Sequence, residues 1–192
     1  MNNLGFVLLS GGLSSRMGSP KALLMIDGET LLDRTSRIGQ VFSERLFSVN
    51  DPAIPTPLGY ARVPDLFTGC GPMGGLHACL AACRSEALVV APCDAPGYTR
   101  EVVDFLIKHY TENLDALILQ DETGRTHPLM GVYHKRCLPI FEQCLESGHF
   151  KLMRTLSQMH TRSILPPDTL GQMLFLNLNT PEDYQQFIHR NK

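Results

Sequence analysis

The chain has 192 residues, enough for one well-buried domain spanning 1–192 and crowded for two. Its apolar content of 43% with few aromatics is that of a soluble globular protein, and a formal net charge of -2 with scattered basic residues argues against a nucleic-acid surface. The six cysteines form neither a CxxC pair nor a Cys/His ligand spacing, so a zinc site is disfavoured and free thiols in a reducing compartment are expected. The first residues lack a basic run, and their apolar stretch is too short for a signal peptide or a membrane span, which points to the cytoplasm.

In chain order, Phe6–Leu9 is an uninterrupted apolar run, the pattern of a strand buried on both faces, and it opens into Ser10-Gly11-Gly12. Asp27-Gly28 signals a turn, Thr30–Phe42 has helical spacing, and Arg45–Val49 reads as a second strand ending at Asn50. Ala61–Val63 is a short strand followed by Pro64-Asp65. A second glycine-rich loop, Thr68–Leu76, then leads into a helix over His77–Cys83. Ala87–Ala91 is a buried strand with Asp94 just past its end, and Thr99 reads as the N-cap of a helix through Tyr110. Asp115–Gln120, a polar turn and His127–Tyr133 read as a hairpin, and Cys137–Leu145 as a helix with a further short helix over Lys151–Met159. Thr161–Leu165 and Met173–Leu176 are late strand candidates. A final helix starts at Thr180-Pro181 and runs to about Arg190. Strand–helix alternation with one late hairpin predicts a three-layer α/β/α sandwich on a mostly parallel, mixed sheet of Rossmann-like type.

The loops Ser10–Lys21, Pro64–Gly75 and Cys93–Pro96 each follow a buried strand; if those strands are parallel neighbours, all three open on one sheet edge, where open α/β sheets bind ligands. Small residues with Arg16 and Lys21 suit phosphate groups, and a carboxylate such as Asp94 beside them suits a hard divalent cation such as Mg2+. The first loop is not a P-loop, because Lys21 comes three residues after Gly18 and is followed by Ala22, and it is not GxGxxG either. No nucleophile constellation stands out: Ser10, Ser14 and Ser15 lack a GxSxG elbow, and the histidines are dispersed. Direct displacement at phosphorus fits this inventory. Structural readings stand beside several of these residues: Asp65 as a loop cap, Asn50 as a turn residue, and Asn177 with Asn179 as one polar face of a strand.

The segment LSGGLSSRMGSPKALLMIDG resembles the nucleotidyltransferase signature GG-x-S-x-RMG-x-x-K, and within that family it is most similar to the molybdenum cofactor guanylyltransferases. GCGPMGGL, VVAPCDAP, HPLMGVY and FLNLNTPEDY extend the resemblance in order from Leu4 to Tyr184. The resemblance implies the nucleotide-diphospho-sugar transferase type of fold and transfer of GMP from GTP to molybdopterin with Mg2+, with molybdopterin-handling proteins as partners. It implies that Leu9, Ser10 and Gly11 contact the nucleoside, that Arg16 and Lys21 bind the triphosphate, and that Asn50 and Asp65 help hold the nucleotide. Asp94 becomes the metal ligand, and Gly11-Gly12, where cytidylyl relatives show Ala-Gly, tilts the base toward guanine. Gly74, Gly75, Lys151, Asn177 and Asn179 fall on the acceptor side. A cytidylyl- or sugar-nucleotide transferase on the same scaffold, or a non-catalytic GTP- or cofactor-binding module, are the alternatives.

Overall fold

Side chains alternate across each strand, and that alternation builds the layers. In the first strand, β1 (Leu4–Leu9), Phe6 and Leu8 face one helical layer while Val7 and Leu9 face the other, all four buried. The computed structural model describes residues 3–10, 20–170, 173–176, 178, 183–184 and 187.

A two-stranded hairpin, β2 (Met25–Ile26) and β3 (Glu29–Thr30), turns at Asp27-Gly28, both at positive φ (50° and 85°) as a type I′ turn requires. It feeds α1 (Leu31–Ile38), whose N-cap Thr30 accepts from the Asp33 amide through Oγ1 at 3.0 Å. The helix ends four residues before the Phe42 boundary expected from its periodicity, continuing as a 3-10 turn over Gly39–Val41. Next come β4 (Arg45–Ser48), β5 (Ala61–Val63), α2 (Pro72–Ala82), β6 (Ala87–Pro92) and α3 (Arg100–His109). The chain continues through β7 (Ala116–Gln120), β8 (Thr126–His134), α4 (Leu138–Glu146), α5 (Leu152–Leu156) and β9 (Thr161–Ile164).

The main sheet has the order β5-β4-β1-β6-β8-β7-β9. Within it β8 alone runs against its neighbours, pairing antiparallel with both β6 and β7. The hairpin expected over 115–133 is therefore present, and the sheet is mixed but mostly parallel. One face carries α1 and α3 over Phe6, Leu8, Phe47, Val89, Leu117 and Val132. The other carries α2, α4 and α5 over Val7, Leu46, Leu88, Val90, Ile118 and Tyr133. Each such large apolar side chain contributes about 1.5–3 kcal/mol on full burial. The result is the three-layer α/β/α sandwich.

Further details differ from the sequence reading. Met173–Leu176 forms a turn, closed by the Leu176 amide donating to the Met173 carbonyl at 3.1 Å, and not a strand. Its apolar residues are used for packing: Met173 and Leu176 join buried Ile26, Leu31, Leu178 and Phe187 in a small third cluster. Thr99 occupies the N-cap position of α3 without making a side-chain cap bond. The helix after the second glycine loop starts at Pro72 rather than His77, because proline is tolerated in the first turn and the apolar residues after it are buried all round. The start proposed for the last helix, Thr180-Pro181, lies outside the described residues, whereas Asp183, Tyr184 and Phe187 are helical. Among the described residues no helix is long and apolar enough to cross a membrane, and all six cysteines are free and buried.

Candidate active site

The chain leaves β1 toward β4 on one side, while β6 lies on the other, so β1 and β6 flank a topological switch point. Because β1, β4, β5 and β6 are all parallel, the loops that follow them open on one rim of the sheet. Ser10 sits at that rim, its amide donating to the Ser48 carbonyl at 2.9 Å, so the loop after β1 starts bonded to the end of β4. Leu9 is buried, and its carbonyl accepts from both the Cys93 amide (3.1 Å) and the Cys93 thiol (2.9 Å). Cys93, which sequence reasoning passed over, thus ties the ends of β1 and β6 together. Burial pushes its thiol up to about 12, so it is inert in that role.

Lys21 and Asp94, far apart in sequence, meet here with Nζ 3.5 Å from Oδ2; the side chains are 24% and 27% exposed. Lys21 opens a 3-10 turn, Lys21–Leu23, that runs into the β2–β3 hairpin, and the Tyr184 hydroxyl donates to the Met25 carbonyl from the far end of the chain. Burial raises the Asp94 carboxyl above the usual carboxylate range, and the Lys21 charge only partly opposes it. Part of the desolvation of Asp94 is therefore left uncompensated by the groups around it. The Asp94 carbonyl accepts from the Leu178 amide at 2.9 Å, bringing a C-terminal segment to the rim.

Asn50 and Asp65 form a reciprocal pair: Asn50 Nδ2 donates to Asp65 Oδ2 and the Asp65 amide donates to Asn50 Oδ1, both at 2.8 Å. Burial raises the Asp65 carboxyl, with the Asn50 bond acting against it. The start of α2 closes over this carboxylate. Gly71, the N-cap, has φ 60° and ψ -151°, a conformation essentially restricted to glycine. Gly74 and Gly75 lie inside the helix, buried; a Cβ on Gly74 would sit 2.8 Å from the Phe67 carbonyl oxygen and one on Gly75 2.4 Å from Ser48 Oγ. Both positions would also approach Asp65, at 3.3 and 3.4 Å. The two glycines thus let α2 seat against the ends of β4 and β5.

Of the remaining candidates, Lys151 is an exposed residue at the N-cap of α5, whose Thr155 hydroxyl reaches Met73 Sδ at 3.6 Å. Gly11, Gly12, Arg16, Asn177 and Asn179 lie outside the described residues. Among the described residues no three His, Cys, Asp or Glu side chains cluster as a self-sufficient metal cage. The sequence reading also missed a His127–Asp121 pair on the β7–β8 hairpin, although Asp-x-Thr-Gly is a legible Asx-turn signal.

A family described as the MobA-like NTP transferase domain matches residues 6–162. A molybdenum cofactor guanylyltransferase from Vibrio vulnificus is 31% identical over 185 residues, covering 95% of this chain and 93% of that protein. One from Desulfosudis oleivorans is 28% identical, covering 94% and 92%. The crystal structure of molybdopterin-guanine dinucleotide biosynthesis protein A from Archaeoglobus fulgidus superposes with a TM-score of 0.84 at 23% identity, over 97% of this chain and 98% of that one. With its parallel strand ends gathering Ser10, Lys21, Asn50, Asp65 and Asp94 on one rim, the chain belongs to the MobA-like NTP transferases, among the molybdenum cofactor guanylyltransferases.

Proposed function

We propose that this chain transfers GMP from GTP to the terminal phosphate of molybdopterin, releasing pyrophosphate, with Mg2+ as the metal. The observation that carries the reading is the Lys21–Asp94 pair at the switch point between β1 and β6, an under-compensated carboxylate beside a fixed cation. A single carboxylate fits Mg2+, which keeps several waters and is completed by substrate phosphates rather than by an all-protein cage. Bound there, the metal would supply charge neutralisation on the nucleotide phosphates.

The protein's own residues then have the following tasks. Lys21 binds the triphosphate as a point charge, and Arg16 adds a second cation. Asp94 would hold the metal, and Leu9, Ser10, Gly11 and Gly12 would meet the nucleoside through backbone groups. Asn50 and Asp65 support the nucleotide as one unit, since each orients the other. An oxygen of the acceptor phosphate attacks the α-phosphorus in line, the bond to the bridging oxygen of the β-phosphate breaks, and its electron pair leaves on pyrophosphate. No general base is needed, because the attacking phosphate oxygen is already anionic. Asn177, Asn179 and Lys151 are assigned to the acceptor side, and the free buried thiols suit a cytoplasmic setting.

The test is pyrophosphate release by the purified chain with molybdopterin and each of the four nucleoside triphosphates in turn. Turnover with GTP, lost on chelation and restored by Mg2+, is expected. Preferred turnover of CTP overturns the guanine assignment, and GTP binding without pyrophosphate release, with acceptor present, overturns the enzymatic one.

A further inference from the structure

The reading above gives the β7–β8 hairpin no task, yet it carries a built histidine site on the active rim. β8 is antiparallel to β6 with Val90 opposite Gly131, so the residues of β8 before Gly131 run toward the carboxyl end of β6, where Asp94 lies. Against β7 the register jumps from Ile118 opposite Gly131 to Leu119 opposite His127. Pro128, Leu129 and Met130 are thereby left as a bulge, closed by the buried Tyr133 hydroxyl donating to the Pro128 carbonyl. Bulges of this kind re-aim side chains next to sites.

His127 is 12% exposed, and its Nε2 lies 3.0 Å from Asp121 Oδ2. The other oxygen of Asp121 accepts from the Thr123 amide (3.0 Å), the Thr123 hydroxyl (2.6 Å) and the Arg125 amide (3.1 Å), so the carboxylate is fixed by its own turn. The Phe175 ring stacks on the imidazole at 4.2 Å and 26°. Phe175 belongs to the turn that passes directly over Gly97, where a Cβ would fall 2.3 Å from the Met173 carbonyl oxygen. The same segment goes on to the Leu178–Asp94 hydrogen bond. One stretch of backbone therefore links the histidine to the proposed metal carboxylate. With Nε2 on Asp121, Nδ1 is the nitrogen left for a ligand, and a protonated imidazole presents an N–H there.

We propose that His127, oriented by Asp121 and Phe175, is an acceptor-binding residue whose Nδ1 bonds the anionic phosphate end of the acceptor and sets it for in-line attack. This rests on the transferase reading for the identity of the acceptor. The test compares wild type, His127→Ala and His127→Gln by molybdopterin titration, GTP calorimetry, thermal melting and pyrophosphate release against acceptor concentration. Both variants are expected to bind molybdopterin about tenfold more weakly, the effect of losing one charge-assisted hydrogen bond, and to raise the acceptor KM alike, with the GTP Kd within about twofold of wild type. The glutamine amide can still donate to Asp121, so recovery of acceptor binding in His127→Gln would show a purely structural role and overturn the proposal. Unchanged acceptor KM in both variants, with an active wild type, overturns it as well and leaves the transferase reading standing. A wild-type chain that fails to bind molybdopterin overturns both.

Discussion

The two halves of the rim handle charge in opposite ways. On the parallel half, burial raises the carboxyls of Asp94 and Asp65 above their ordinary value, opposed only in part by Lys21 and a backbone amide at Asp94 and by Asn50 at Asp65. On the antiparallel half, Asp121 accepts four hydrogen bonds from its own hairpin and is pulled down to about 2. The first arrangement leaves electrostatic demand that a cation and a nucleotide can meet. The second is complete without a ligand and serves to fix the orientation of an imidazole. Parallel strand ends supply the demand because their loops converge from distant parts of the chain, whereas the hairpin satisfies its carboxylate locally.

The sharpest way to break this contrast is Asp94→Asn. Transfer should fall by at least about a thousandfold if Asp94 is the carboxylate that holds the metal, as proposed above, since that oxygen donor and its charge are both lost. The ligand-free protein should nevertheless melt at the same temperature or higher. The folded carboxyl lies above its unfolded value, so the ionised form costs stability at neutral pH, and that cost fades as pH falls from the raised value toward 3.8. A clear loss of thermal stability in Asp94→Asn would show that the carboxylate is a structural ion-pair member after all.

Gly74→Ala probes how α2 is brought onto Asp65. Alanine gains about 1 kcal/mol in helix propensity, but its Cβ would press on the backbone carbonyl of Phe67. Overpacking of this kind costs about 1–3 kcal/mol, and since the backbone cannot rotate away we expect a net loss of about 1 kcal/mol. For a chain of this size that lowers the melting temperature by about 2–4 °C. An unchanged or higher melting temperature would mean that the helix start is not tightly seated.

The smallest effect is expected on the hairpin. Because the folded carboxyl of Asp121 lies below its unfolded value, its contribution is present above about pH 3.8 and lost as pH falls through about 2. Asp121→Asn should therefore be slightly less stable than wild type at neutral pH, the loss being small because solvent screens the carboxylate, and should draw level with it as pH falls through about 2, which flattens the acid limb of stability below about pH 4. Equal acid sensitivity in the two proteins would remove the distinction between the halves.

Local rules fix what is local. The apolar runs of β1 and β6, the Asp27-Gly28 turn, the β7–β8 hairpin and the sandwich they imply follow from patterning and turn chemistry in the sequence alone. The same rules misjudge Met173–Leu176, whose apolar residues pack as a turn against Ile26 and Leu31, because burial between distant segments leaves no local period to read. They also stop short at the second glycine loop, where the need for α2 to approach Ser48 and Asp65 is visible only once β4 and β5 are side by side. Sequence could nominate Lys21, Asn50, Asp65 and Asp94 as polar residues after strands. Which of them pair, which stay electrostatically unmet, and that His127 joins them on the rim were decided by strand order and register, since desolvation and partner choice depend on neighbours far away along the chain.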